Sequence, residues 1–305
     1  MTRRILAIVV ALVFSIAGHL LIFASGWDLL RRMMQFQPVP TNVVGIVGLV
    51  AGILLVAVAA LTVAISSSGV IALGVLHVVF GLLLPLMPFS LFSGSRPPTF
   101  QLIFLLGDLN IAFRDQMTTY FTIGTGVLVG VVLIVAGLAA RGRTLRANPV
   151  AIVVSIVVGI LGAVGIGVAL IGGFMIYRSM FQMMMGEIEV LGVALLLLGS
   201  LLLAVAVVTV RWSSAGVIVL GAVVTALGIV VAVLPPSAIG AFARDLGVAL
   251  TNVGVTGLLS LLGVVLVAVG VGVNVRTRRA ARVVDPASAP ALVDAAAESP
   301  DPQVV

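Results

Sequence analysis

The chain has 305 residues, of which 62% are hydrophobic and 9% charged, with a mean hydropathy of +1.36. A soluble domain carries about 25% charged residues, so a water-soluble fold is excluded and the chain reads as an all-α integral membrane protein. Its 16 basic residues, all arginine, outnumber ten acidic ones for a net charge of +6, and they sit at the ends of apolar runs, which points to membrane topology rather than to nucleic acid. There is no cysteine, which removes disulfides, thiolate metal sites and thiol nucleophiles. The bias toward Ala, Val, Gly and Arg fits a high-GC bacterial genome, hence a bacterial inner membrane.

A membrane-spanning helix needs roughly 20 apolar residues, and eight such runs are predicted. The first, over 5–24, follows the basic start Arg3-Arg4. It is longer than the apolar core of a signal peptide and reads as a retained helix. The second and third, over 43–65 and 69–91, are joined by Ser66-Ser67-Ser68, where serine hydroxyls can cap the free amides of the next helix. Pro85 and Pro88 mark the end of the third. A long loop is predicted over 92–119, with an interfacial apolar stretch over 100–106, before the fourth helix over 120–140. Arg141, Arg143 and Arg146 close this half, and Asn148-Pro149 links it to the next. Helices follow over 150–176, 190–210, 215–234 and 248–275. From residue 283 the Ala, Pro and Asp content predicts a disordered tail.

The two halves repeat. Residues 45–74 lie without a gap on 192–221 at a shift of 147, with 17 of 30 pairs identical, among them Thr62/Thr209, Ser66/Ser213 and Ser67/Ser214. The register extends back through Gly18/Gly165, Gly26/Gly173 and Arg31/Arg178. After the long loop it resumes at a shift of 133, with GVVLIVAG at 130–137 on GVVLVAVG at 263–270. The expected architecture is therefore eight transmembrane helices as two parallel four-helix repeats, 1–147 and 148–282, followed by the tail 283–305. Four helices per unit is an even number, so both copies enter the membrane from the same side. With the N-terminus inside, ten arginines fall on the inner side and six on the outer, and the positive-inside rule puts both termini in the cytoplasm.

The predicted spans hold no Asp, Glu, Lys or Arg, so the usual markers of proton relays and ion-coupled transport are missing. His19 and His77 do lie within spans and raise the possibility of a bis-histidine haem. At 1.5 Å per residue they fall about 21 Å and about 12 Å from the inner end of their helices, a mismatch that favours packing histidines. Neither recurs, since Ile166 and Val224 stand at the paired positions. Methionines gather beyond the outer ends of the first and fifth helices, Met33 and Met34, then Met180, Met183, Met184 and Met185. Thioethers suit Cu(I), but with no histidine or cysteine among them the reading is adaptable apolar contact. No cofactor or metal is assigned. Gly48/Gly52, Gly126/Gly130, Gly159/Gly162 and Gly263/Gly270 have the small-residue spacings of close helix packing.

The candidate site is on the outer face. Arg31, Met33 and Gln35 pair with Arg178, Met180 and Gln182, and the dipeptides Arg114-Asp115 and Arg244-Asp245 belong to the same side. These residues make a docking surface for a partner or a lipid headgroup, weighed against simple anchoring by arginine and interfacial aromatics. No Walker loop, HExxH or GxSxG pattern is present. The expected function is a non-enzymatic scaffold, assembly or accessory subunit, whose partners are the lipid bilayer and another membrane protein. The alternative is a small-solute or lipid transporter with a path between the repeats. A wet cavity lined by Ser15, Thr62, Ser155, Ser200, Thr209 and Thr225 would favour transport, and a greasy seam would count against it.

Overall fold

The computed structural model describes residues 2–35, 41–86, 111–141, 149–179, 189–234 and 244–284, and among these every regular element is helical. In chain order they are α1 (Thr2–Met34), α2 (Val43–Leu61), α3 (Ser67–Leu86), α4 (Ile111–Thr122), α5 (Thr125–Ala139), α6 (Pro149–Tyr177), α7 (Val190–Val208), α8 (Ala215–Val233), α9 (Arg244–Val255) and α10 (Leu258–Val284). Six are long and apolar enough to cross a membrane, or seven if the bent pair α4 and α5 forms one span, while α3 is a shorter apolar helix. The chain is a multi-pass helical membrane protein. Large apolar side chains facing outward, such as Val150, Val153, Val157 and Ile160 on α6, are what a lipid-facing surface requires.

Local chemistry explains several boundaries. Asn42 caps α2 by accepting the Gly45 amide at 3.0 Å. After α2 a 3-10 turn runs over Thr62–Ala64, and the Thr62 hydroxyl donates to the Ala59 carbonyl at 2.6 Å. After α7 a second 3-10 turn runs over Thr209–Arg211, with Thr209 donating to Ala206 at 2.6 Å. Serine caps then open the next helices: Ser66 Oγ accepts the Ser68 amide at 3.3 Å, and Ser213 Oγ accepts the Ala215 amide at 3.2 Å.

Three predicted boundaries are corrected. α1 runs on to Met34, so Arg31 and Met33 stand on its last turns rather than in a loop. Residues predicted as the end of the long loop form α4, which starts at Ile111 and meets α5 at a 64° bend. The predicted helix over 248–275 is likewise two helices, α9 and α10. Both breaks turn on a left-handed glycine, Gly124 at φ +81° and Gly257 at φ +74°. The left-handed region costs an L residue with a Cβ about 1–2 kcal/mol, so glycine alone makes the turn without strain.

Contacts recur in pairs. α1 packs on α2 and α3, α6 packs on α7 and α8, α3 meets α5, and α8 meets α10. Small residues permit the closest approaches. A Cβ at Gly18 would stand 2.7 Å from the Gly52 oxygen, and one at Gly165 would stand 2.7 Å from the Gly199 oxygen. The breaks are braced crosswise. Gly173 of α6 lies on the Ile123 carbonyl beside the first break, and Gly26 of α1 lies on the Thr256 carbonyl beside the second. Leu196 covers Gly124, and Leu49 covers Gly257. In the middle, α5 and α10 supply Leu128, Val132, Leu133, Leu258, Leu261, Val265 and Leu266, all fully buried.

Candidate functional site

Four-residue spacing puts Ser15, His19 and Phe23 on one face of α1, and α3 presents Leu73 and His77 in the same way. α4 adds Met117, Tyr120 and Phe121. These side chains line a cavity of about 290 Å³ between α1, α3 and α4. Its rim includes Ile16, Leu20 and Leu76, which are 60%, 48% and 42% exposed, so it opens sideways to lipid. His77 and Tyr120 form its buried floor.

The two histidines meet. Their Nε2 atoms are 3.4 Å apart, and Tyr120 Oη is 3.4 Å from His19 Nε2. The expectation that a depth mismatch keeps them apart is therefore overturned. The relative level of the helices is set where Gly69 rests on the Ala7 carbonyl. Counted from there, His19 and His77 differ by four residues, about 6 Å of rise, which two imidazole side chains bridge. Phe23 and Tyr120 hold the His19 ring edge-on, with centroids 5.5 and 5.3 Å away.

Hydrogen bonding fixes the tautomers. His19 Nδ1 donates to the Ser15 carbonyl at 2.8 Å, and His77 Nδ1 donates to the Leu73 carbonyl at 2.9 Å. A carbonyl only accepts, so both rings carry their proton on Nδ1 and both Nε2 atoms offer lone pairs. The Tyr120 hydroxyl can donate to one of them. At the positions paired by sequence, the other half carries Ile166, Val224 and Val253, all buried hydrocarbon. The polar cluster thus belongs to one half of the molecule.

The sequence-predicted surface is only partly assembled. Arg31 is exposed on the last turns of α1, and the Gln35 amide closes that helix on the Arg31 carbonyl at 3.0 Å. Met33 packs against Leu29, Leu30 and Val255. Arg114 pairs with its own neighbour Asp115 at 2.8 Å, a local ion pair within α4. Arg178 is exposed just beyond α6. Arg244 and Asp245 open α9, and Met180 and Gln182 lie outside the described residues. Asp28 adds a contact that the sequence did not suggest, accepting from Asn42 Nδ2 and pairing with Arg32 at 3.8 Å.

The hydroxyls expected along a wet seam turn back on backbone. Besides Thr62 and Thr209, Thr225 donates to Gly221 at 2.8 Å, and Ser155 donates to Ile152 at 2.8 Å while accepting the Gly216 amide at 3.2 Å. Ser15 instead lines the histidine cavity, and Ser200 Oγ is buried with no partner among the described residues. A second cavity, of about 430 Å³, lies between α2, α8 and α10, and its lining is hydrocarbon apart from Thr225 and Ser260. Among the described residues no three His, Cys, Asp or Glu side chains gather as a metal cluster.

The sequence singles out both histidines but not Tyr120 as their partner, because hydropathy starts a straight span at residue 120. The available signal was Gly124, which pairs with Gly257 at the same shift of 133. The chain matches no family model, no curated protein and no solved structure, so function is argued from its own residues alone.

Proposed function

We propose that this is a non-enzymatic membrane component, a scaffold, assembly or accessory subunit of a bacterial inner membrane. It is built as two same-orientation four-helix units, with both termini cytoplasmic. The duplication is supported by contacts that repeat at the sequence shifts: Gly18 on Gly52 and Gly165 on Gly199, then the crosswise bracing of the two breaks. The functional reading rests on one observation. Four of the six hydroxyls expected to line a wet seam, those of Thr62, Thr209, Thr225 and Ser155, are turned onto backbone carbonyls, which supports a greasy seam over a polar path among the described residues. Arg31 and Arg178, exposed at the ends of α1 and α6, are the side chains through which a partner would be met.

Native mass spectrometry of the full chain, purified in mild detergent from its own host, tests this. The expected result is a stoichiometric second protein that is lost in the Arg31→Ala/Arg178→Ala variant. A bare chain with that composition unchanged by the double substitution overturns the accessory reading. A second reading, lipid handling, is favoured by the 430 Å³ apolar cavity beside α2 and α8, whose lining suits an acyl chain. Bound lipid in place of a protein partner would move the conclusion there.

A further inference from the structure

We infer that His19 and His77 bind a single copper(I) ion at the floor of the lateral cavity, with Tyr120 Oη beside them at a third position. The starting point is an unpaired lone pair. With both Nδ1 protons committed to the Ser15 and Leu73 carbonyls, two Nε2 acceptors face each other at 3.4 Å. Tyr120 has one proton to give and lies next to His19. His77 Nε2 is left buried, with no donor among the described residues. A cation between the two rings satisfies both nitrogens. The arrangement is also the one metal-binding histidines adopt, since the second ring nitrogen of such a ligand donates to a carbonyl or carboxylate that fixes its tautomer.

Geometry and charge select the ion. With metal–nitrogen bonds of about 2.0 Å, two nitrogens lie about 3.3 Å apart at a tetrahedral angle, about 3.5 Å apart at a trigonal one and about 4.0 Å apart when trans. The observed 3.4 Å fits a trigonal or tetrahedral ion and is too short for the trans axial ligands of a haem. Among the described residues no carboxylate lines the cavity, so a bound cation keeps its charge in a lipid-facing site. Desolvation cost rises with the square of charge, which favours a monovalent ion over a divalent one. Imidazole suits copper, and Met117 lines the same cavity, adding a thioether of the soft kind that favours the monovalent state. The other half shows that the fold does not need these polar groups, because Ile166, Val224 and Val253 are packed at the paired positions.

The test loads the full detergent-purified chain anaerobically from a copper(I)–bicinchoninate complex. The wild type is expected to withdraw one equivalent of copper per chain, with imidazole scattering in its X-ray absorption spectrum. The His19→Ile/His77→Val variant borrows the residues of the other half, so it is expected to keep the wild-type melting temperature and to bind at least about 100-fold more weakly. If that variant fails to fold, the absorption spectrum of the wild type decides, since methionine-only scattering would overturn the site. Three further results would overturn it: no copper withdrawn, equal copper in the variant, or a preference for zinc in competition.

Discussion

Replacing Gly173 by alanine places a methyl group against the backbone of another helix. The new carbon would stand 2.0 Å from the Ile123 carbonyl oxygen and 2.3 Å from its carbon. Carbon and oxygen settle no closer than about 3.3 Å, so α6 must withdraw from the bend by roughly 1.3 Å. A gap of about 0.5–1 Å already forfeits a quarter to a half of each dispersion contact along that interface. Overpacking costs about 1–3 kcal/mol, and here the neighbour is backbone next to a left-handed glycine, so the upper end, about 3 kcal/mol, is expected. Gly167 of the same helix is the control, because a Cβ there meets nothing within 4 Å. Gly167→Ala should be neutral or stabilising by at most about 1 kcal/mol of helix propensity. Gly26→Ala, 2.8 Å from the Thr256 oxygen, should fall between the two. Equilibrium unfolding in mixed SDS and maltoside micelles, followed by fluorescence of the two tryptophans Trp27 and Trp212, measures the series. Gly173→Ala and Gly167→Ala agreeing within about 0.5 kcal/mol would refute the reasoning, since ordinary surface substitutions differ by no more than that.

Two further outcomes use the same assay. Ser155→Ala leaves the buried Gly216 amide without its acceptor and should cost about 1–3 kcal/mol, whereas Ser200→Ala removes a buried hydroxyl that has no partner among the described residues and should be neutral or stabilising. Gly124→Ala and Gly257→Ala should each cost about 1–2 kcal/mol through the left-handed backbone, additively if the two breaks are independent; equal stability of wild type and both variants would argue against the positive φ values.

The membrane class and most of the long helices could be read directly, because a bilayer demands long uninterrupted apolar runs and the residues supply them. The serine turn after α2 was also legible, since Ser66 acts on backbone two residues away, whereas the 3-10 turns at Thr62–Ala64 and Thr209–Arg211 fall inside apolar runs that read as helix. Hydropathy failed where an apolar run bends. Around Gly124 and Gly257 the chain stays apolar while its direction changes, and only the recurrence of one glycine at matching positions marks the turn. The histidine pair failed for a different reason. Hydropathy sets helix starts but not the level of one helix against another, and the vertical offset of α1 and α3 comes from Gly69 resting on Ala7, a tertiary contact. Tyr120 entered the site only because the bend carries α4 toward α1 and α3.

The crosswise bracing of the two breaks bears on how the protein is made. During synthesis the first bend, at Gly124, is inserted before the residues that hold it, Gly173 and Leu196, have left the ribosome. For about 50–70 residues of elongation, several seconds at roughly 5–20 residues per second, α4 and α5 have neither brace. The second bend has no such interval, because Gly26 and Leu49 are already in the membrane when it arrives. The N-terminal half is therefore the one exposed to quality-control proteases and insertion chaperones, and a ribosome stalled near residue 150 would release a chain whose histidine-lined wall is complete in sequence but unsupported from behind.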